Sequence, residues 1–126
     1  MEINIHDKRK IHEIQKDFSR IFPNLKLDFF TILDEAKLAS ASKLLIHPSK
    51  AICECRAAHT KGMLTILPHM TILDLKHGFR DTFGLSIQVF RKVGADWLET
   101  TSDIWSLEKH NTFVSEMNSE NTLEIL

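Results

Sequence analysis

The amino-acid sequence predicts an α+β domain assembled from two copies of a strand-helix-strand unit. Three observations carry this reading. One hydrophobic pattern occurs twice at an offset of about sixty residues. Within each copy the apolar period changes from two to three-or-four and back to two, as strand, amphipathic helix and strand require. A chain of 126 residues with 43% hydrophobic content, 26% charged content and a net charge of −1 has the profile of one ordinary globular domain, so residues 1–126 are expected to form a single unit.

The first copy, residues 2–30, opens with Ile3 and Ile5 in alternation. It runs through Ile11, Ile14, Phe18 and Phe22 at helical spacing and closes with Leu25, Leu27, Phe29 and Phe30. The second, residues 63–90, repeats this with Leu64 and Ile66, then Ile72, Leu75, Phe79 and Phe83, then Leu85, Ile87, Val89 and Phe90. Asp7 and Thr71 stand where N-terminal helix caps are expected, and the helical pattern breaks at Pro23-Asn24 and at Gly84. Seven of the eight phenylalanines fall inside the copies, which assigns them to the core.

Beyond the second copy, Lys92-Val93-Gly94-Ala95-Asp96 carries turn chemistry, and Trp97 to Thr101 reads as the strand folding back from it. Ser106 then caps a helix through Leu107, His110, Val114 and Met117, so residues 91–117 form a hairpin and terminal helix; residues 118–126 read as a flexible acidic tail. Between the copies, Ile32 to Leu45 is rich in Ala, Leu and Lys and is expected to be helical, with Pro48 as its stop. Ala51 to Arg56 alternates as a short edge strand, and His59-Thr60-Lys61-Gly62 reads as a turn. Two β-α-β units with right-handed crossovers combine most simply into a ferredoxin-like two-layer sandwich, with both helices on one sheet face and the added strand and helix decorating it. The alternative is two half-sheets that complete each other in a dimer.

Composition and motifs narrow the function classes. A near-neutral charge supplies no long-range field for nucleic acid or anionic membranes. The apolar stretches are too short to cross a bilayer, and MEINIHDKRK has no apolar secretory core, so no membrane partner and a cytoplasmic location are expected. Cys53 and Cys55, one residue apart, read as reduced thiols. With His59 they are the one candidate metal set, but the spacing is not a usual zinc pattern and buried structural thiols are the plainer reading; no cofactor is expected. The seven histidines, His6, His12 and His77 among them, sit in no pattern that supplies nucleophile, base and orienting group. No Gly-rich phosphate loop occurs, and the sequence leans away from an enzyme.

What remains is the sheet face opposite the helices. If Leu25, Leu27 and Phe29 face the core, Lys26, Asp28 and Phe30 look outward, and Ser86, Gln88 and Phe90 do so in the second copy. Phe30, Phe90, Arg91, Lys92 and Trp97 are therefore the candidate interaction surface, of residue types enriched at binding hot spots. The expected function is a non-enzymatic interaction or regulatory module acting through this face or through the 91–101 hairpin, with a second copy or another protein as partner. Aromatics beside basic residues also suit unpaired bases, so a single-stranded nucleic-acid-binding domain is the alternative, and a small metal or redox protein using Cys53 and Cys55 the third. A plainer outcome is cover by the terminal helix with Trp105 and Phe113. From residue 99 onward stand six acidic residues and one lysine, opposite a first helix made basic by Lys8, Arg9, Lys10 and Lys16; a solvated face and tail account for both.

The run from Thr71 to Leu107, with FGLSIQVFRKVGADWLETT at its centre, resembles a set of small proteins from Bacteroidota bacteria, and IHEIQKDFSRIFPNLKLDFF fits the same pattern more loosely. The resemblance implies a bacterial, cytoplasmic protein and transfers no catalytic residue.

Overall fold

Residues 1–32, 43–56, 59–100 and 102–113 are described by the computed structural model. The elements run in the order β1 (Glu2–Ile5), α1 (Ile11–Ile21), β2 (Leu25–Ile32), β3 (Lys43–Leu45), β4 (Gly62–Thr65), α2 (Ile72–His77), β5 (Ser86–Val93) and β6 (Asp96–Glu99), followed by helical residues 107–113, here α3. The molecule is α+β with antiparallel sheets, but its strands divide between two sheets where the sequence led us to expect one. β1 pairs with β4, and a separate four-stranded sheet has the order β3-β2-β5-β6.

The ferredoxin-like arrangement is therefore not what the pairing shows, and the reason is a general one. Alternation identifies a strand and its buried face, but not its neighbour. The first strands of the two predicted units select each other, with Ile3 opposite Leu64, and so do the second strands, with Leu27 opposite Val89 and Phe29 opposite Ile87. α1 contacts both β1 and β2, while α2 contacts β5 and carries Gly78 against Leu64 of β4. A β-carbon at Gly78 would come within 3.1 Å of Leu64 Cδ1, so the small residue permits the close approach. One continuous cluster of buried side chains, Phe18, Phe29, Phe79 and Phe83 the largest, fills the space among these elements.

The helix starts depend on distant backbone. A helix leaves its first N–H groups without intrahelical partners. In α1, the Ile11 N–H donates to the Lys50 carbonyl (3.0 Å); in α2, the Ile72 N–H donates to Trp105 (3.3 Å). The exchange is returned by Ile52 N–H to Arg9 and Leu107 N–H to Met70, both at 2.8 Å. Because the backbone does this work at α1, its cap position is Lys10, whose N–H donates to the Glu13 carboxylate, and Asp7 is not a cap. Thr71 caps α2 as expected, its hydroxyl accepting from Asp74 N–H at 3.0 Å, and α2 continues through a wider turn over Gly78–Thr82.

The region between the predicted copies differs from its reading. Residues 33–42 of the expected helix lie outside the described residues, and its described ends belong to strands β2 and β3. Ala51 to Arg56 is not an edge strand: Ile52–Glu54 make one tight helical turn that buries Ile52, with the Glu54 carboxylate accepting from Ala51 N–H at 2.8 Å. The apparent alternation came from a turn with a single buried residue. The hairpin after β5 forms as expected, with Gly94 at φ 61° in its two-residue turn, a left-handed conformation that favours glycine. Ser106 caps α3 by accepting from Lys109 N–H, and residues 114–126, the expected end of that helix with Val114 and Met117 and the acidic tail, lie outside the described residues. Among the described residues no helix is long and apolar enough to cross a membrane.

Candidate functional site

The four-stranded sheet turns Leu25, Leu27, Phe29, Ile87 and Val89 inward. The intervening residues therefore line its other face, and register decides which of them meet. Lys26 lies opposite Phe90, Asp28 opposite Gln88 and Phe30 opposite Ser86; on the outer strands, Lys92 faces Trp97, Phe90 faces Glu99, and Phe30 faces Leu45. Lys26 Nζ is 5.8 Å from the ring centroids of both Phe90 and Trp97 and 3.7 Å from Asp28 Oδ2. A lysine beside two ring faces and a carboxylate is held by cation–π attraction and by charge together.

Of the five residues singled out by sequence, the structure gathers Phe90, Lys92 and Trp97. Phe30 shares the face but adjoins Leu45 at the β2–β3 edge. Arg91 does not belong to the group: it sits opposite Leu25 and Leu98, one step out of phase with Phe90, and so projects to the other side of the sheet. Lys26 was missed, because its place between two rings depends on a pairing that alternation does not supply. The centre of the face is buried. Gln88 is 5% exposed, and burial pushes the Asp28 carboxyl above the usual aspartate range, partly countered by Lys26. Towards the rim exposure rises, with Trp97 at 37% and Leu45 at 56%.

Trp105 and Phe113 form a cluster of their own. Their rings meet edge to face at 5.5 Å, His110 lies 5.1 Å from Trp105, and Lys109 Nζ sits 4.1 Å over the indole. α3 is tied to the α1–β2 turn by Asn24 N–H donating to Asn111 Oδ1 (2.9 Å) and the Asn24 amide donating to the Asn111 carbonyl (3.1 Å).

The cysteine–histidine candidate comes apart. On the helical turn Cys53 is exposed, while Cys55 is half-buried and its thiol donates to the Ala51 carbonyl. Burial, reinforced by the nearby Glu54 charge, pushes the Cys55 thiol up and away from the thiolate that metal binding needs. His59 pairs instead with Asp7, Nδ1 to Oδ2 at 2.6 Å. Among the described residues no group of three His, Cys, Asp or Glu is placed to hold a metal ion.

Asp7 is the hinge of a second constellation that sequence reasoning did not find. Its other oxygen accepts from Arg56 Nη2 at 2.9 Å, and Arg56 Nη1 donates to the Phe83 carbonyl at 2.8 Å. The Arg56 side chain is wholly buried. The Arg56 hydrogen bond, opposed by desolvation and aided by His59, holds the Asp7 carboxyl below its ordinary range. No short-range pattern links residues 7, 56 and 83, so the sequence carried no signal for this chain of contacts.

No protein-family model matches this chain, and the comparisons with curated proteins and with solved structures return no match either.

Proposed function

We propose that the protein is a non-enzymatic interaction module that binds a second copy of itself through the outer face of the four-stranded sheet. The observation that carries this is the Phe90–Lys26–Trp97 arrangement, set in a face whose charges balance: Lys26 and Lys92 against Asp28 and Glu99. Aromatic side chains, Trp above all, are enriched among the few residues that supply most of the binding energy in protein interfaces. Equal numbers of both signs suit a face that meets its own copy, whereas a nucleic-acid surface is predominantly basic.

Two supporting readings belong with this proposal. The chain is a tandem duplicate, a reading supported by the corresponding bonds at Ile11 and Ile72, at Ile52 and Leu107, and by the hairpins that flank the central strand pair. Its setting is a bacterial cytoplasm, supported by the resemblance of residues 71–107 to proteins of Bacteroidota.

The test is sedimentation equilibrium over a wide concentration range. Wild type is expected to associate reversibly, and replacement of both Phe90 and Trp97 by alanine to weaken association by at least about tenfold, with an unchanged far-ultraviolet circular dichroism spectrum. A wild type that stays monomeric, or a variant that associates as wild type does, refutes the proposal; a variant that unfolds assigns these rings to the core. Binding of single-stranded RNA that falls steeply with salt would establish the nucleic-acid reading in its place.

A further inference from the structure

A cleft of about 630 Å³ opens beside the β1–β4 pair, lined by Asn4, His6, Asp7, Lys8, His59 and Lys61, with Gly62 and Met63 as its apolar wall. We propose that it binds a small phosphate monoester, with Lys8, Lys61 and the imidazoles of His6 and His59 as the groups that hold the phosphate.

Charge accounting favours an anion. Asp7 is the single carboxylate of the lining, and its two oxygens are already engaged by the buried Arg56 and by His59. The lysines at 8 and 61 therefore face the cleft with no lining carboxylate left to answer them. Volume favours more than a bare ion, since clefts of a few hundred Å³ accommodate molecules of nucleotide or sugar-phosphate size.

The imidazoles are pre-set by their contacts. His6 Nδ1 accepts the Lys8 backbone N–H at 3.2 Å, which places the proton of the neutral ring on Nε2, where it is a donor. His59 is fixed the opposite way, its Nδ1 proton donated to Asp7, which leaves its Nε2 lone pair to accept a phosphate hydroxyl. The pair thus offers one donor and one acceptor, which suits a phosphate group that carries a hydroxyl beside its charged oxygens. Arg56 contributes as a positioning residue: buried and bonded to the Phe83 carbonyl, it fixes Asp7, and Asp7 fixes the His59 ring.

The experiment is a titration of the full chain with inorganic phosphate, and separately with a nucleoside monophosphate, read by the imidazole resonances at constant pH and ionic strength. The His6 and His59 signals are expected to move together and to saturate, while His47, His69 and His77 stay in place as internal controls. Replacing Lys8 and Lys61 by alanine should weaken binding by roughly tenfold or more without changing thermal stability. Signals that fail to move in millimolar phosphate, that move equally with chloride, or that saturate unchanged in the double lysine variant overturn the proposal. Tighter binding of the nucleoside monophosphate than of phosphate would show that the Met63 side of the cleft contributes. The Phe90 and Trp97 double variant should bind phosphate as wild type does, which separates this site from the sheet-face reading.

Discussion

Replacing Phe79 by alanine is expected to remove about 3–5 kcal/mol of folding stability, the largest effect of any single substitution considered. Phe79 is fully buried in the turn that extends α2. Its ring meets Phe29 of β2 edge to face, with centroids 5.6 Å apart and planes at 79°. The substitution deletes that ring pair and leaves a cavity at the junction of the helix and the four-stranded sheet. Since small domains are stable by about 5–15 kcal/mol, much of the total is lost and the urea midpoint should fall accordingly. Leu73 in the same helix is 41% exposed, and its alanine variant should stay within about 1 kcal/mol of wild type. Equal losses at both positions would refute the assignment of Phe79 to the core.

The second large effect concerns Arg56. Methionine in its place keeps an apolar stem but leaves the Phe83 carbonyl without the guanidinium donor, at a cost of about 2–3 kcal/mol for that charge-assisted bond. The same change frees the Asp7 carboxyl from the partner that lowers its pKa. A carboxylate with a depressed folded pKa stabilises the fold above its unfolded value and loses that contribution as pH falls through the folded value. The gap between wild type and Arg56→Met should therefore be full at neutral pH and narrow in acid, below the ordinary aspartate value of 3.8, without closing, because the Phe83 carbonyl does not titrate. Chemical denaturation at a series of pH values checks this; a gap independent of pH would show that Asp7 gains nothing from Arg56.

The elements written in short-range pattern were legible. Ile11, Ile14 and Phe18 specify α1, Gly94 specifies the β5–β6 turn, and Thr71 and Ser106 specify helix starts, because in each case the deciding physics acts within a few residues. What depended on distant partners was not. β1 with β4 and β2 with β5 is a choice among strands that alternate equally well. Asp7 has the chemistry of a helix cap and is recruited elsewhere by a buried arginine. Ala51 to Arg56 imitates a strand because Cys53 and Cys55 alternate with Glu54 and Arg56 in sequence, whereas the tight turn buries Ile52 and leaves Cys53 and Glu54 exposed. The candidate surface divided in the same way. Phe90 and Trp97 follow from alternation in a hairpin, whereas Lys26 depends on register, and Arg91 was included by proximity in sequence although pleating sends it to the other side.

Pairing between strands far apart in sequence sets the order in which the two sheets can close. With only residues 1–32 synthesised, β1 has no partner and both edges of β2 are open, because β3, β4 and β5 are still to come. Ile3 and Ile5 wait for Leu64 and Gly62, so the β1–β4 pair can form once residue 65 has emerged, whereas Leu27 and Phe29 wait for Val89 and Ile87 and the β2–β5 pair needs the chain through residue 93. The four-stranded sheet is therefore the later of the two to find its central pair, and β2 keeps its β5 edge open until that point.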